Sequence, residues 1–362
     1  MAPLVHALLA EPVAFDVKVC VTAQHREMLD QVLQIFGIRP DIDLNLMKMG
    51  QDLVDLTSSV MLGMRGVLAQ QRPDAILVHG DTTTTLAAAM AGFYAGVPVG
   101  HVEAGLRTYN IHAPFPEEFN RQVVSKVARW HFAPTQLCRE TLLVEGIPAS
   151  NIFVTGNTVI DALRWVTARI DADISIQTAL TEALQAVLPF PWKREKFVLI
   201  TGHRRENFGG GFIQICEALQ ALAMRFVDVH FVYPVHLNPN VQQPVRSLLA
   251  GLSNVHLIAP LDYEPFVYLL KHAHLVLTDS GGIQEEAPSL GKPVLVMRDV
   301  TERSEALMAG TVELVGADKL RIIYGVARLL EDEGHYQKMS CTHNPYGDGN
   351  ACQLIIDALK KV

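Results

Sequence analysis

A chain of 362 residues exceeds the length at which one hydrophobic core usually keeps growing, and with 49% hydrophobic residues it can fill two cores. Thirty basic against 38 acidic side chains leave a formal charge of -8, which argues against a general binder of nucleic acid or of an anionic membrane surface. The five cysteines (Cys20, Cys138, Cys216, Cys341, Cys352) are odd in number, scattered and never spaced as CxxC. Neither a disulfide framework nor a zinc site is therefore expected, and a reducing cytoplasm is the expected setting. In chain order, the opening MAPLVHALLAEP is apolar but has no basic flank, so it reads as a helix rather than a signal peptide. The runs VKVCVTA (17–23), AILVHG (75–80), PVGHVE (98–103), WHFAPT (130–135) and IFVTGN (152–157) each precede a helix-like segment, the signature of βαβ units and a parallel sheet. A polar, helix-prone stretch with LPFPWKREK (188–196) intervenes before a second series: FVLITG, HFVYPVH, VHLIAP, LVLTD, PVLVMR and VELVG. The tail NACQLIIDALKKV has apolar spacing near 3.6 and predicts a last helix. No run approaches the roughly 18 apolar residues of a membrane span, so no membrane insertion is expected.

The alternation predicts an α/β protein of two doubly wound, Rossmann-like domains: 1–164, 165–343, and a C-terminal helix within 344–362 packing back on the first. In such sheets ligands bind at the carboxyl ends of strands, near the switch in strand order. The unusual residues fall there. LVLTD ends at Asp279, and Ser280, Gly281 and Gly282 then open a helix, where backbone N–H groups approached past glycine suit a phosphate. The bland reading of SGG is a capped turn. Glu285 and Glu286 are adjacent on that helix and point about 100° apart, so only one can face a ligand, where a carboxylate would suit ribose hydroxyls. In the first domain Asp81 follows AILVHG, Glu103 ends PVGHVE, and Glu117 and Glu118 start a helix in APFPEEFNR. These carboxylates are predicted to converge on one rim, although Asp81 would also cap the TTTT helix and either glutamate alone would suit a helix start. TGHRRENFGGGF carries His203, Arg204, Arg205 and Glu206 into a glycine-rich loop, where the imidazole could move a proton and the arginines neutralise a diphosphate. His236 also follows a strand, whereas His272 and His274 read as packing or surface residues. No metal-ligand spacing appears among the 14 histidines and no GxGxxG fingerprint is present, so neither a metal nor another cofactor is expected.

The motifs HGDTTTT, HVEAGLRT, PEEFNR, TGHRREN, YPVHLNPN, TDSGGIQEEAPSLGKPVLVMRDVTERSEA and HNPYGDG together resemble the non-hydrolysing UDP-N-acetylglucosamine 2-epimerase family over essentially the whole chain. The resemblance implies a GT-B-type architecture with substrate in the cleft between the domains. It implies interconversion of UDP-GlcNAc and UDP-ManNAc for bacterial surface polysaccharides, through loss and re-addition of UDP and a 2-acetamidoglucal, in a cytoplasmic homodimer. The catalytic candidates it implies are Asp81, Glu103, Glu117 and His203, and the substrate contacts are Arg204, Phe266, Ser280, Gly281, Gly282, Glu286 and Arg303. It also implies a second, activating substrate site involving Gln24, Arg26 and His236. Members of the family normally begin with a strand and a GTRPE-type loop ahead of the position of Met1. This chain starts after them, so two strands of the first sheet are expected to lack a neighbour and activity to be impaired. A glycosyltransferase of the same architecture and a non-catalytic UDP-sugar-binding protein are the alternative readings.

Overall fold

A computed structural model describes residues 1–362 except 24, 25, 49, 205 and 206, and the side chains of Glu27 and Met28 also lie outside the described set. Two compact units emerge: 1–162 with 346–362, and 163–345.

The first unit runs α1 (Ala2–Leu9), β1 (Cys20–Val21), α2 (Arg26–Ile35), β2 (Ile42–Asp43), α3 (Leu53–Gln71), β3 (Ile76–His79), α4 (Thr83–Tyr94), β4 (Val99–Val102), α5 (Glu117–Val127), β5 (Trp130–Ala133), α6 (Gln136–Val144) and β6 (Ile152–Val154). Helix α7 (Thr158–Ala172) carries the chain across the boundary into the second unit. Strands β3, β4, β5 and β6 form a parallel sheet in sequence order, whereas β1 pairs with β2 in a separate two-stranded sheet. Among the described residues, β1 and β3 each have one paired edge. The strand expected over 17–23 covers two residues, and β2, a pair of residues with little apolar pattern, was not anticipated. Small residues let α4 lie close to the sheet: Ala87, Ala89 and Ala91 are buried with Val60, Val78 and Val99.

The second unit continues with α8 (Ile174–Val187), β7 (Phe197–Thr201), α9 (Gly210–Arg225), β8 (His230–Pro234), α10 (Pro239–Leu249), β9 (Val255–Ile258), α11 (Tyr263–His272), β10 (Leu275–Thr278), α12 (Ile283–Ser289), β11 (Val294–Val296), α13 (Ser304–Ala309), β12 (Val312–Leu314), α14 (Lys319–Glu331) and α15 (Glu333–Ser340). Its six parallel strands lie in the order β12-β11-β10-β7-β8-β9, so the order reverses between β7 and β10. That reversal is the place where a doubly wound sheet opens a crevice at its strand ends. The strands are apolar almost without interruption because both faces are covered: Val198, Phe231 and Leu275 on one face and Leu199, Val232 and Val276 on the other are wholly buried. The register runs from Leu275 opposite Val198 to Thr278 opposite Thr201, and those two threonine hydroxyls meet at 2.6 Å.

The chain ends in α16 (Ala351–Leu359), which belongs to the first unit. Its Ile355 and Ile356 pack with Leu4 and Leu8 of α1 and with Trp130 and Phe132 of β5. Asp161 receives the backbone N–H groups of Cys352 at 2.9 Å and Ala351 at 3.2 Å, which satisfies two donors at the start of α16. Gly156 and Gly347, both at positive φ, let the HNPYGDG segment lie against the turn after β6: the Asn157 N–H donates to the Tyr346 carbonyl at 2.8 Å.

Candidate active site

In the first unit, the acidic residues sit at the carboxyl ends of neighbouring strands. Asp81 follows β3 and Glu103 follows β4, and the two strands pair in parallel register. Glu103 has φ +67, a conformation unfavourable for a residue with a Cβ, and its Oε1 accepts the Asn157 amide at 3.0 Å. A Cβ on Gly80 would stand 3.0 Å from the other oxygen of Glu103, so the bare glycine makes room for this carboxylate beside Asp81. Asp81 is gripped by α5: Arg121 donates to its Oδ2 from Nη2 at 2.9 Å and from Nε at 3.2 Å, and the Asn120 amide holds its carbonyl at 2.7 Å. Glu117 opens α5 with one oxygen, Oε2, buried and without a hydrogen bond among the described residues. A buried acceptor lacking a donor is what a site awaiting a donor from its ligand would contain.

Glu118 is different. It is wholly buried and accepts the Thr108 and Tyr109 N–H groups, the Gln122 amide and the Arg121 guanidinium, at 2.9 to 3.1 Å. All its acceptor capacity is spent on holding the 108–109 loop and α5, which suits a structural role. Behind these residues stand two histidines, half-buried His79 at the end of β3 and wholly buried His101 in β4, both pushed down to about 3 chiefly by desolvation and therefore neutral.

In the second unit the loops after β7 and β10 meet at the reversal of strand order. The Asp279 carboxylate, wholly buried, accepts the backbone N–H groups of His203 and Arg204 at 2.8 Å each. The His203 ring stacks on the exposed His236 ring, centroids 5.2 Å apart. After Asp279, the Ser280 N–H is held by the Thr278 hydroxyl at 2.9 Å, and Gly281 and Gly282 lead into α12. A Cβ on Gly281 would lie 3.1 Å from the Arg303 guanidinium, so this turn and Arg303 share one spot. Arg303 is held by Glu285, its Nε 2.9 Å from Oε1, and by Glu302. Glu285 and Glu286 divide as the helix geometry requires, the first facing Arg303 and the second accepting the Tyr263 hydroxyl at 2.9 Å. Burial pushes Glu286 up to about 7, with the Tyr263 hydrogen bond working the other way. Phe266 lies one turn along α11 from Tyr263.

Gln24 and Arg205 lie outside the described residues. Arg26, at the start of α2, is engaged by Asp30 at 2.9 Å and by Asp43, while His236 accepts the Asn238 N–H at 3.1 Å. Sequence reading missed Asn157 and Arg121, which hold the two first-unit carboxylates, and Asp279, which organises the second-unit loops. The one available signal for Asp279 was an acid closing an otherwise apolar strand at the expected ligand edge. Among the described residues, no three His, Cys, Asp or Glu side chains are grouped so as to hold a metal ion.

The fold and these strand-end groups define a two-unit α/β protein with acidic residues on one sheet edge and an arginine-backed glycine turn on the other. Residues 7–360 match the family described as UDP-N-acetylglucosamine 2-epimerase, and the chain belongs to that family. The UDP-N-acetylglucosamine 2-epimerase of Escherichia coli O157:H7 is 59% identical over 360 residues, covering 99% of this chain and 94% of that protein. The crystal structure of UDP-GlcNAc 2-epimerase from Neisseria meningitidis bound to UDP-GlcNAc superposes with a TM-score of 0.94 at 49% identity, covering 100% of this chain and 96% of that one. A co-structure of S. aureus MnaA with UDP gives a TM-score of 0.89 at 43% identity, covering 100% and 92%.

Proposed function

We propose that the chain interconverts UDP-GlcNAc and UDP-ManNAc at C2 of the sugar, by elimination and re-addition of UDP. The C2 proton is not beside a carbonyl, so direct abstraction is slow. When the C1–O bond breaks and UDP carries off the electron pair, positive charge at C1 acidifies C2–H. A carboxylate then takes that proton and C1=C2 forms, giving 2-acetamidoglucal. Return of a proton to the opposite face of C2 and of UDP to C1 completes the inversion. Two faces need two proton-transfer groups, hence more than one carboxylate. Asp81, Glu103 and Glu117 supply them in this reading.

The observation that carries the proposal is the carboxylate set at the ends of β3 and β4: Glu103 sits at positive φ and is aimed by Asn157, beside an Asp81 aimed by Arg121. In the second unit, Arg303, Ser280 and the bare Gly281 and Gly282 receive the diphosphate, with His203 and Arg204 beside it. Glu286 takes the ribose hydroxyls and Phe266 lies by the uracil. A second UDP-GlcNAc, bound through Gln24, Arg26 and His236, activates the enzyme, and the working form is a cytoplasmic homodimer. The five cysteines, all unbridged, fit a reducing setting.

Proton NMR of UDP-GlcNAc incubated with the protein in D2O tests the reading. Epimerisation must exchange the C2 hydrogen and build up UDP-ManNAc, whereas product without exchange at C2, or no product at all, overturns it.

A further inference from the structure

Asp279 carries more structure than a strand end requires. Its Oδ2 accepts the His203 and Arg204 N–H groups at 2.8 Å, with the Asn207 amide at 3.5 Å. Its Oδ1 is buried and accepts no hydrogen bond among the described residues. It faces the His203 Nδ1 at 3.7 Å. A buried carboxylate oxygen without a donor is costly, and a small rotation of the imidazole would bring Nδ1 to hydrogen-bond length.

The surroundings of the ring leave Asp279 as its natural partner. His236, two residues past β8, stacks on the ring, and its Nδ1 is already occupied as an acceptor for the Asn238 N–H. Among the described residues, Arg204 is the remaining charged neighbour and offers only donors. Burial, His236 and Arg204 all lower the proton affinity of His203, and Asp279 alone among these raises it.

We propose that Asp279 is the positioning residue for His203: it pins the loop through two backbone N–H groups and takes the Nδ1–H of the ring, which leaves Nε2 to meet the ligand. The same division of labour, a buried carboxylate fixing one imidazole nitrogen so that the other can work, governs hydrolytic triads. The proposal rests on His203 being a catalytic group of the reaction above. A histidine free to flip would offer the wrong nitrogen half the time, and the carboxylate removes that choice.

Nitrogen chemical shifts of the histidine rings in the full-length protein, with His203 assigned by its loss in His203→Asn, give the tautomer directly. The Nδ1–H form is expected in the wild type, and the Nε2–H form overturns the proposal. In Asp279→Asn one amide oxygen still accepts the two backbone N–H groups while the amide nitrogen faces the ring as a donor. The neutral ring should then switch to Nε2–H, and kcat should fall about ten-fold or more with the UDP dissociation constant within about three-fold. An unswitched ring or an unchanged kcat in that variant counts against the assignment. Should the variant not fold, the wild-type tautomer still decides. Because the ring measurement needs no turnover, a wild type that fails to epimerise would refute the proposed function without touching this result.

Discussion

The two strand-end sites solve opposite electrostatic problems. In the first unit an arginine and amides orient Asp81 and Glu103 from behind, and neither carboxylate is wholly buried. In the second unit carboxylates stand behind, and what they hold forward is cationic or polar: Glu285 and Glu302 brace Arg303, and Asp279 braces the His203–Arg204 loop. Charge of one sign orients working groups of the other. The first edge is thereby suited to moving protons and the second to taking an anion.

Removing the forward group of the first edge should give the largest effect. Glu103→Gln and Asp81→Asn are expected to lower kcat by about a hundred-fold or more while the UDP dissociation constant stays within a few-fold. Glu103→Gly sharpens the test, because glycine accepts φ +67 without strain: it should be at least as thermostable as the wild type and equally inactive. If UDP affinity collapsed in these variants, the division of labour between the two edges would be wrong.

At the second edge, Gly282 borders open space for a Cβ in the folded protein, unlike Gly281. Gly282→Val should therefore melt within a degree or so of wild type yet bind UDP about ten-fold more weakly by calorimetry, because the backbone is no longer approachable. Equal affinity in the two proteins would move the diphosphate elsewhere.

A variant that touches neither edge checks that the units respond separately. Asp161→Ala removes the acceptor for the first two N–H groups of α16, at a cost of about 1–2 kcal/mol in stability. Urea unfolding should show that loss with UDP affinity unchanged.

Legibility from sequence followed the same division. In the second unit most strands are apolar runs, because helices cover both sheet faces, so the pattern alone announces the sheet. In the first, β1 and β2 pair with each other over two residues each, and a segment that short has no periodicity to read. The forward-facing residues were legible because an Asp, Glu or His just after a strand is chemically out of place. Their supports were not: Asn157, Arg121 and Asp279 lie about 40 to 80 positions from what they hold (54, 40 and 76), and only the fold brings them together.

Glu286 makes the smallest prediction, and it turns on sign. Its carboxyl ordinarily titrates near 4.5 and is raised to about 7 in the folded protein by burial. Below pH 4.5 folded and unfolded chains both hold the proton, so the group costs nothing. Between about 4.5 and about 7 the folded chain keeps a proton that the unfolded chain releases, and stability falls as pH rises through this window. Above about 7 both forms are ionised and the penalty of a buried charge is complete. Glu286→Gln imitates the protonated acid and keeps an oxygen for the Tyr263 hydroxyl, but its amide hydrogens must find their own partners, which takes back part of the gain. The variant's stability relative to wild type should therefore rise between pH 5 and about 7 and level off by pH 8. The remaining titrating groups are common to both proteins and cancel in the difference, so calorimetric melts at pH 5, 6, 7 and 8 isolate this one carboxyl. A gap that stayed constant across the series would mean that Glu286 carries its charge in the folded protein throughout, already compensated on the second edge.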